Sequence, residues 1–406
     1  MKTFVLGGDG FCGWPLALRL SDCGHDVTIV DNGSRRQIDA HLGTGSLTPI
    51  AQLQERVAAW RDISGRAINV AEIDLASGFR QFRSLLVEER PAALVHLAEQ
   101  RAVPYSMGPA SQRRYTFSNN LRATTNVLIA LKDSGLDAHL VHIGSTGIYG
   151  YETLGYCVPE GYIRAHLHAD GSPSKTLDIL HPANPLSIYH LTKAQDQLAL
   201  AFFAKHEGIR VTELVQGTVW GTQTAETARD ERLINRFDYD ATYGTVLNRF
   251  ALQAALGYPL TVYGGGGQTR AFIHIGDVMR CVQIALDNPP TRGERMQVFN
   301  QIAETMRVRD IANLARQVWP GVTVDALDNP RDEPASNEFA LSNEGFRSLG
   351  LTPRLIKEGL LAEIRDVAAR YAHRADRSVI APAGSARKRR APRELRREVA
   401  APQGMQ

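Results

Sequence analysis

The stretch that most limits what this chain can fold into is Val5-Leu6-Gly7-Gly8-Asp9-Gly10-Phe11-Cys12-Gly13. Glycines spaced G-x-x-G-x-x-G follow an apolar run and lead into a helical pattern. Glycine allows a tight strand-to-helix turn, and a helix N-terminus offers unpaired N–H groups and a positive dipole end, which suit a pyrophosphate. A tight structural turn is the plain alternative. The second apolar run ends in Asp31, 18 residues after Gly13, where an acid binds adenosine ribose hydroxyls. Together these predict a dinucleotide site built on Gly7, Gly10, Phe11, Cys12, Gly13, Asp31 and Asn32. A carboxylate at position 31 repels a 2′-phosphate and so favours NAD over NADP. Arg35 and Arg36 follow closely and suit either a 2′-phosphate or a solvated turn. Asp74, after the third apolar run, is placed to reach the adenine or to cap a helix. Leu75 and Leu97 complete the expected cofactor contacts.

Apolar runs at 3–6, 26–30, 67–70, 92–97, 138–143 and 210–214 alternate with helical patterns at 14–21, 79–89, 120–133 and 187–206. This rhythm predicts an α/β fold, a Rossmann-type doubly wound parallel sheet over residues 1–221. From residue 222, segments rich in Thr, Asp, Arg, Tyr and Gly predict a smaller substrate-binding lobe over 222–374. Strands after residue 290 are free to return to the main sheet.

The net charge of +3 comes from the end of the chain, where eight Lys/Arg face three acids from Ala375 on. The rest is near neutral and gives no reason to expect nucleic-acid binding. Residues 375–406 read as a basic, disordered tail, either a solubilising end or a docking arm. The four cysteines lack C-x-x-C spacing, which argues against a disulfide framework or metal site and for a reducing, cytoplasmic location. No apolar run is long enough to span a membrane, and the first is too short for a signal peptide.

Tyr189-His190-Leu191-Thr192-Lys193 is Y-x-x-x-K, which on a helix puts Tyr189 and Lys193 on one face. The ammonium lowers the tyrosine pKa and holds a ribose hydroxyl. The phenolate then takes a proton from a substrate alcohol as hydride leaves to the nicotinamide. The pair follows a fifth strand ending in Gly144-Ser145-Thr146, and either Ser145 or Thr146 is placed to bind the same alcohol. Order and spacing match the extended short-chain dehydrogenase/reductase pattern.

Several further segments are distinctive: Glu99-Gln100-Arg101-Ala102-Val103-Pro104-Tyr105-Ser106-Met107, Phe237-Asp238-Tyr239-Asp240, Gly244-Thr245-Val246-Leu247-Asn248-Arg249-Phe250, Gly267-Gln268-Thr269-Arg270 and Asn329-Pro330-Arg331. With the glycine loop they resemble the UDP-sulfoquinovose synthase family, over nearly all of residues 1–365. The resemblance implies a UDP-sugar substrate, sulfite as co-substrate, NAD, and a homodimer formed by packing two helices from each subunit. It implies Tyr189 as base, Lys193 as its partner and Ser145 in place of a catalytic threonine. Arg101 and Asn119 would lie near cofactor and sugar, Tyr105, Gln216 and Thr245 near the sugar nucleotide, and Arg270 and Arg331 on the diphosphate. A guanidinium fork suits paired phosphate oxygens.

Two departures from the family bear on chemistry. Its G-T-M-G-E-Y-G is here Gly144-Ser145-Thr146-Gly147-Ile148-Tyr149-Gly150, so an isoleucine replaces a glutamate. Loss of the C5 proton and of the 6-hydroxyl wants an acid/base group beyond Tyr189, and His190 is the candidate substitute, with a structural histidine as the alternative. The insert at 151–175, carrying His166 and His168, also departs from the family, and no metal is expected there. A UDP-sugar 4-epimerase, which needs only Tyr189, Lys193 and Ser145, is the competing activity. A non-catalytic NAD-binding regulatory protein is the competing class, and the intact Tyr/Lys pair argues against it.

Overall fold

A computed structural model describes residues 1–153, 155–169, 172–329, 334–357 and 361–381. The first half runs β1 (Lys2–Leu6), α1 (Gly13–Asp22), β2 (Asp26–Asp31), α2 (Ser34–Leu42), α3 (Leu53–Ser64), β3 (Ile68–Glu72), α4 (Phe79–Glu89), β4 (Ala93–His96), α5 (Val103–Ser106), α6 (Ala110–Ser134) and β5 (His139–Ser145). Then follow β6 (Cys157–Val158), β7 (Tyr162–Ala169), β8 (Ser172–Leu180), α7 (Ile188–Glu207), β9 (Arg210–Gln216) and β10 (Thr218–Trp220). The second half holds α8 (Val246–Ala255), β11 (Leu260–Tyr263), β12 (Thr269–His274), α9 (Ile275–Asp287), β13 (Gln297–Gln301), β14 (Glu304–Arg307) and α10 (Val308–Val318). It closes with β15 (Val324–Leu327), β16 (Ala340–Leu341), α11 (Glu344–Ser348), α12 (Leu361–Tyr371) and α13 (Arg377–Ile380).

Seven strands form one sheet in the order β13-β9-β5-β4-β1-β2-β3. Every pairing in it is parallel. The strands are apolar runs because helices cover both faces. Alternate residues of each strand face opposite sides. Phe4, Leu6, Leu94 and Leu140 meet Phe82 of α4, Val127 of α6 and Leu200 of α7. Val5, Ile29, Val95 and Val141 meet Leu16 of α1, Trp60 of α3 and Val282 of α9. Strand order reverses between β1 and β4, and the crevice beyond the carboxyl ends of a doubly wound sheet opens at such a switch point.

The second half does not stay apart from the first. β13 joins the main sheet beside β9, and α9 packs against α1. Residues 230–243 lie across the glycine-loop end of the sheet as a strap. Trp14 Nε1 donates to the Leu233 carbonyl (2.9 Å), Asn235 Nδ2 to the Phe11 carbonyl (2.9 Å), and the Leu47 amide to the Phe237 carbonyl (2.9 Å). A separate apolar cluster joins α8, α10 and α12.

Ordered packing runs further toward the end of the chain than composition suggests. Ile380 is fully buried in that cluster, and the Asp376 amide donates to the Tyr239 hydroxyl (2.9 Å). The expected tail therefore does not begin at residue 375. Its part from 382 on lies outside the described residues. The insert folds into the β7–β8 hairpin, where His166 pairs with Thr176 and His168 with Ser174 on the surface. No helix among the described residues is long and apolar enough to cross a membrane.

Candidate active site

β1 delivers the chain into Gly7 at φ 87°, a left-handed conformation that glycine tolerates. A Cβ at Gly7 would come within 2.8 Å of the Ala98 backbone, and one at Gly13 within 2.0 Å of the Gly7 carbonyl. The loop closes only with glycine at both positions, and that closure leaves an open cradle at the start of α1. The cradle belongs to an open cavity whose lining runs from the glycine loop to the Tyr/Lys pair. Gly7, Gly10, Phe11, Cys12 and Gly13 form one wall. Asp31, Asn32, Asp74, Leu75 and Leu97 line the adjoining end, and Arg101, Asn119, Tyr189, Lys193 and Gln216 the other.

Asp31 accepts the amides of Asp9 (2.9 Å) and Gly33 (2.8 Å). Burial raises its pKa, and those amides oppose the rise. Asp74 does not cap α4, whose N-cap is Gly78. Asp74 lines the cavity and accepts the Ala76 amide (2.9 Å) and the Ser77 hydroxyl (2.8 Å) at the turn before α4. Burial pushes the Cys12 thiol up to about 12, so it stays neutral.

Ser187 caps α7 by accepting the His190 amide (3.1 Å). The first two turns of that helix present Tyr189 and Lys193 to the cavity. Ser145, whose hydroxyl accepts the Gly147 amide (3.3 Å), stands near Tyr189 at the end of β5. Burial and the Glu99 carboxylate raise the Tyr189 pKa, while Lys193, Arg101 and Ser145 pull it down. Lys193 Nζ donates to the Ile143 carbonyl (2.6 Å) and lies 2.8 Å from Glu99 Oε1. Ligand atoms of His96, Glu99 and His142 lie within 4.8 Å of one another. The cation of that cluster is the Lys193 ammonium itself.

Residues 3–300 match the NAD dependent epimerase/dehydratase family. The chain is 41% identical over 391 residues to the chloroplastic UDP-sulfoquinovose synthase of Spinacia oleracea, covering 95% of this chain and 79% of that one. It is 38% identical over 360 residues to the UDP-sulfoquinovose synthase of Sulfolobus acidocaldarius, covering 87% and 89%.

The chain belongs to the NAD dependent epimerase/dehydratase family.

Among solved structures, the fold matches UDP-glucose 4-epimerase of Thermotoga maritima with UDP-glucose at a TM-score of 0.67, 19% identity, and coverage of 92% and 99%. It matches UDP-glucuronic acid 4-epimerase of Bacillus cereus, with UDP-glucuronic acid and NAD, at 0.65, 21%, 92% and 99%. The Rossmann-type sheet, the NAD cofactor and the relation to UDP-sulfoquinovose synthases read from the sequence are thereby borne out. This member of the epimerase/dehydratase family is an NAD-dependent nucleotide-sugar enzyme.

Several expected contacts are not on the cavity wall. Arg36 turns away, donating to Asp9 and to the Ala51 carbonyl (2.7 Å). Arg35 reaches the wall, but its guanidinium is held by Asp39 and by Asp238 (3.1 Å) and stacks 3.4 Å over the Tyr243 ring. These commitments leave neither arginine placed for a 2′-phosphate. Tyr105 is buried against Tyr243, and Thr245 caps α8 by accepting the Asn248 amide (3.3 Å). Gln216, on the wall, donates to Gln301 Oε1 (2.7 Å). Arg270 sits 4.0 Å over the Tyr151 ring, and Arg331 lies outside the described residues. Thr146 is buried in the turn after β5. His190 is buried over Gly147 and against Tyr189 and Tyr151, off the wall.

Ile148 is 1% exposed and belongs to the apolar cluster on the α6–α7 face of the sheet. A glutamate there would point into the core. In this chain position 148 is a packing position, so its isoleucine removes no carboxylate from the cavity. Among the wall residues not predicted from the sequence are Glu99 and Tyr243. Both stand in or beside the distinctive segments, but no spacing rule links them to the Tyr/Lys pair.

Proposed function

We propose that this enzyme converts UDP-glucose and sulfite into the UDP-linked 6-sulfonated sugar, as the names of its 41% and 38% identical relatives suggest. The observation that carries the chemistry is the Tyr189–Ser145 hydroxyl pair beside Lys193 at one end of the glycine-loop cavity. NAD, when bound, takes the C4 hydrogen and later returns it. Tyr189 accepts the proton of the sugar 4-hydroxyl, Ser145 holds that hydroxyl, and the Lys193 ammonium favours the phenolate. With C4 oxidised, the acidified C5 proton and the 6-hydroxyl leave as water to give a C5–C6 double bond, sulfite adds at C6 as C5 regains a proton, and C4 is reduced. Arg101 and Gln216 serve the sugar end. Arg270, with Arg331, serves the diphosphate after moving from its stack on Tyr151. Most nucleotide-sugar contacts fall to residues 222–374.

A second reading, UDP-sugar 4-epimerase, draws on one observation. Among the described residues, the carboxylate on the wall beside Tyr189 is Glu99, and it is already paired with Lys193. Epimerisation needs no further acid/base group. Incubation with UDP-glucose, with and without sulfite, separates the two by product mass. A sulfite-dependent sulfonated product supports synthesis, and UDP-galactose formed without sulfite rejects it. Deuterium release from C5-labelled substrate is expected only for the first.

The proposed assembly is a homodimer through α6 and α7, which expose Phe117, Ile129, Leu198 and Phe202. The four free cysteines support a cytoplasmic location.

A further inference from the structure

Behind the Tyr/Lys pair lies a buried polar cluster that the reaction as read above does not use. Glu99, just past β4, reaches under α7 with its side chain 3% exposed. Its Oε1 lies 2.8 Å from Lys193 Nζ and 3.4 Å from His142 Nε2, and it accepts the Thr124 hydroxyl (3.2 Å). Asp196, one turn along α7 from Lys193, lies 3.8 Å from the same His142 nitrogen. Glu213 of β9 accepts Gln197 Nε2 (2.7 Å) on the far side. So many carboxyl groups cannot all be ionised beside one ammonium in a buried site. Asp196 is held well above the usual carboxylate range by burial and by Glu99. Burial likewise lifts Glu213 to about 7. Glu99 is the member held ionised, since Lys193 and His142 outweigh its own burial.

We infer that Glu99 is a positioning residue. Its carboxylate pins the Lys193 ammonium beneath Tyr189. This rests on the reading of Tyr189 and Lys193 as the catalytic pair. A buried lysine without a counter-ion tends to lose its proton and its fixed place. Among the described residues, Glu99 is the acid within ion-pair distance of Lys193 Nζ. The Ile143 carbonyl (2.6 Å) fixes the same ammonium from the strand side. Burial and Glu99 hold Asp196 well above the usual carboxylate range, so an amide can replace it.

The test compares Glu99→Gln, Glu99→Asp and Asp196→Asn holoenzymes with the parent, measuring kcat, KM, melting temperature and the pH dependence of kcat. The groups facing the pair are Glu99 beyond β4, His96 on β4, His142 on β5, Asp196 on α7, Glu213 on β9 and Arg101. Glu99 raises the pKa of both Tyr189 and Lys193. Losing its charge lowers both, so in Glu99→Gln the whole kcat profile moves toward acid by about one pH unit or more. Because the unpinned Lys193 no longer holds its place beneath Tyr189, the maximal kcat falls at least tenfold with KM little changed. Glu99→Asp keeps the charge and restores part of the rate, and Asp196→Asn keeps nearly all of it. A purely structural Glu99 would lower the melting temperature of Glu99→Gln and leave the profile in place, and that result overturns the proposal. If Glu99→Gln does not fold, parent-like kcat and profile in Glu99→Asp, whose carboxylate sits one methylene short of Lys193, overturn it equally. Inactive Tyr189→Phe beside unaffected Glu99→Gln would reject the positioning role alone. Full activity in Tyr189→Phe would reject the underlying pair.

Discussion

Deleting one oxygen atom at position 189 separates chemistry from architecture. Tyr189→Phe keeps the ring against His190 and leaves the glycine cradle untouched. We predict loss of turnover by about 10²–10⁴-fold with bound NAD retained, measured as product formation and cofactor content on one sample. Full turnover would remove Tyr189 from the mechanism. Position 148 makes the opposite case. Ile148→Glu puts a charge into a dry apolar cluster and should cost about 3–5 kcal/mol, read from the denaturation midpoint, with no gain in rate. A faster enzyme would mean that the position does face the reaction. The Tyr/Lys pair was legible in the sequence because four residues span one turn of one helix. Glu99 was not, because it reaches Lys193 only through the adjacency of β4 and β5 in the sheet. Nothing in the local sequence encodes that neighbour.

Elements that are buried on both faces announce themselves, and elements that are not stay hidden. The six apolar runs all appear as strands of the main sheet, shifted by a residue or two at their ends. The β7–β8 hairpin lies open to solvent and left no apolar run to read. α2, largely polar, was also passed over, as was α3, although Gln52 and Glu55 form a capping box at its start. The strap was visible as the quoted motif Phe237-Asp238-Tyr239-Asp240 but not as an element. Its centre is Asp238, buried and bonded to Arg35 (3.1 Å), Arg101 (3.0 Å) and Arg236 (3.2 Å). Although burial opposes ionisation, the three guanidinium groups hold its pKa down to about 2. A depressed folded pKa gives stability that is complete above the unfolded carboxylate range and lost as pH falls through the folded value. The acid limb of unfolding between about pH 4 and 2 should therefore shrink in Asp238→Asn. Asp238→Ala strands buried cations and should cost about 3–5 kcal/mol, measured by urea unfolding at pH 7. An unchanged acid limb would mean that other carboxylates carry it.

At the scale of the whole molecule, the long α6 and α7 lie side by side and leave apolar side chains outside. Leu198 is 64% and Phe202 52% exposed. Leu198→Glu with Phe202→Glu should shift the proposed dimer to monomer in sedimentation, and a parent that sediments as a monomer would dismiss the assembly. Which half supplies what was only partly readable, since β13 and the strap cross a boundary that composition places near residue 222. That crossing has a consequence for how the enzyme lives in a cell. Tyr243, at the end of the strap, stands in the wall of the cofactor cavity, and Trp14, Asn235 and Asp238 tie the strap down. We expect a dinucleotide seated there to depart only when the strap lifts. Because the proposed reaction leaves NAD oxidised at the end of each cycle, such captivity does not stop turnover. The catalyst would carry its own oxidant as a permanent fixture, indifferent to the ratio of oxidised to reduced nicotinamide around it. Protein purified without added NAD should then release a stoichiometric amount on acid denaturation, and a chain that emerges empty would show that the strap opens freely.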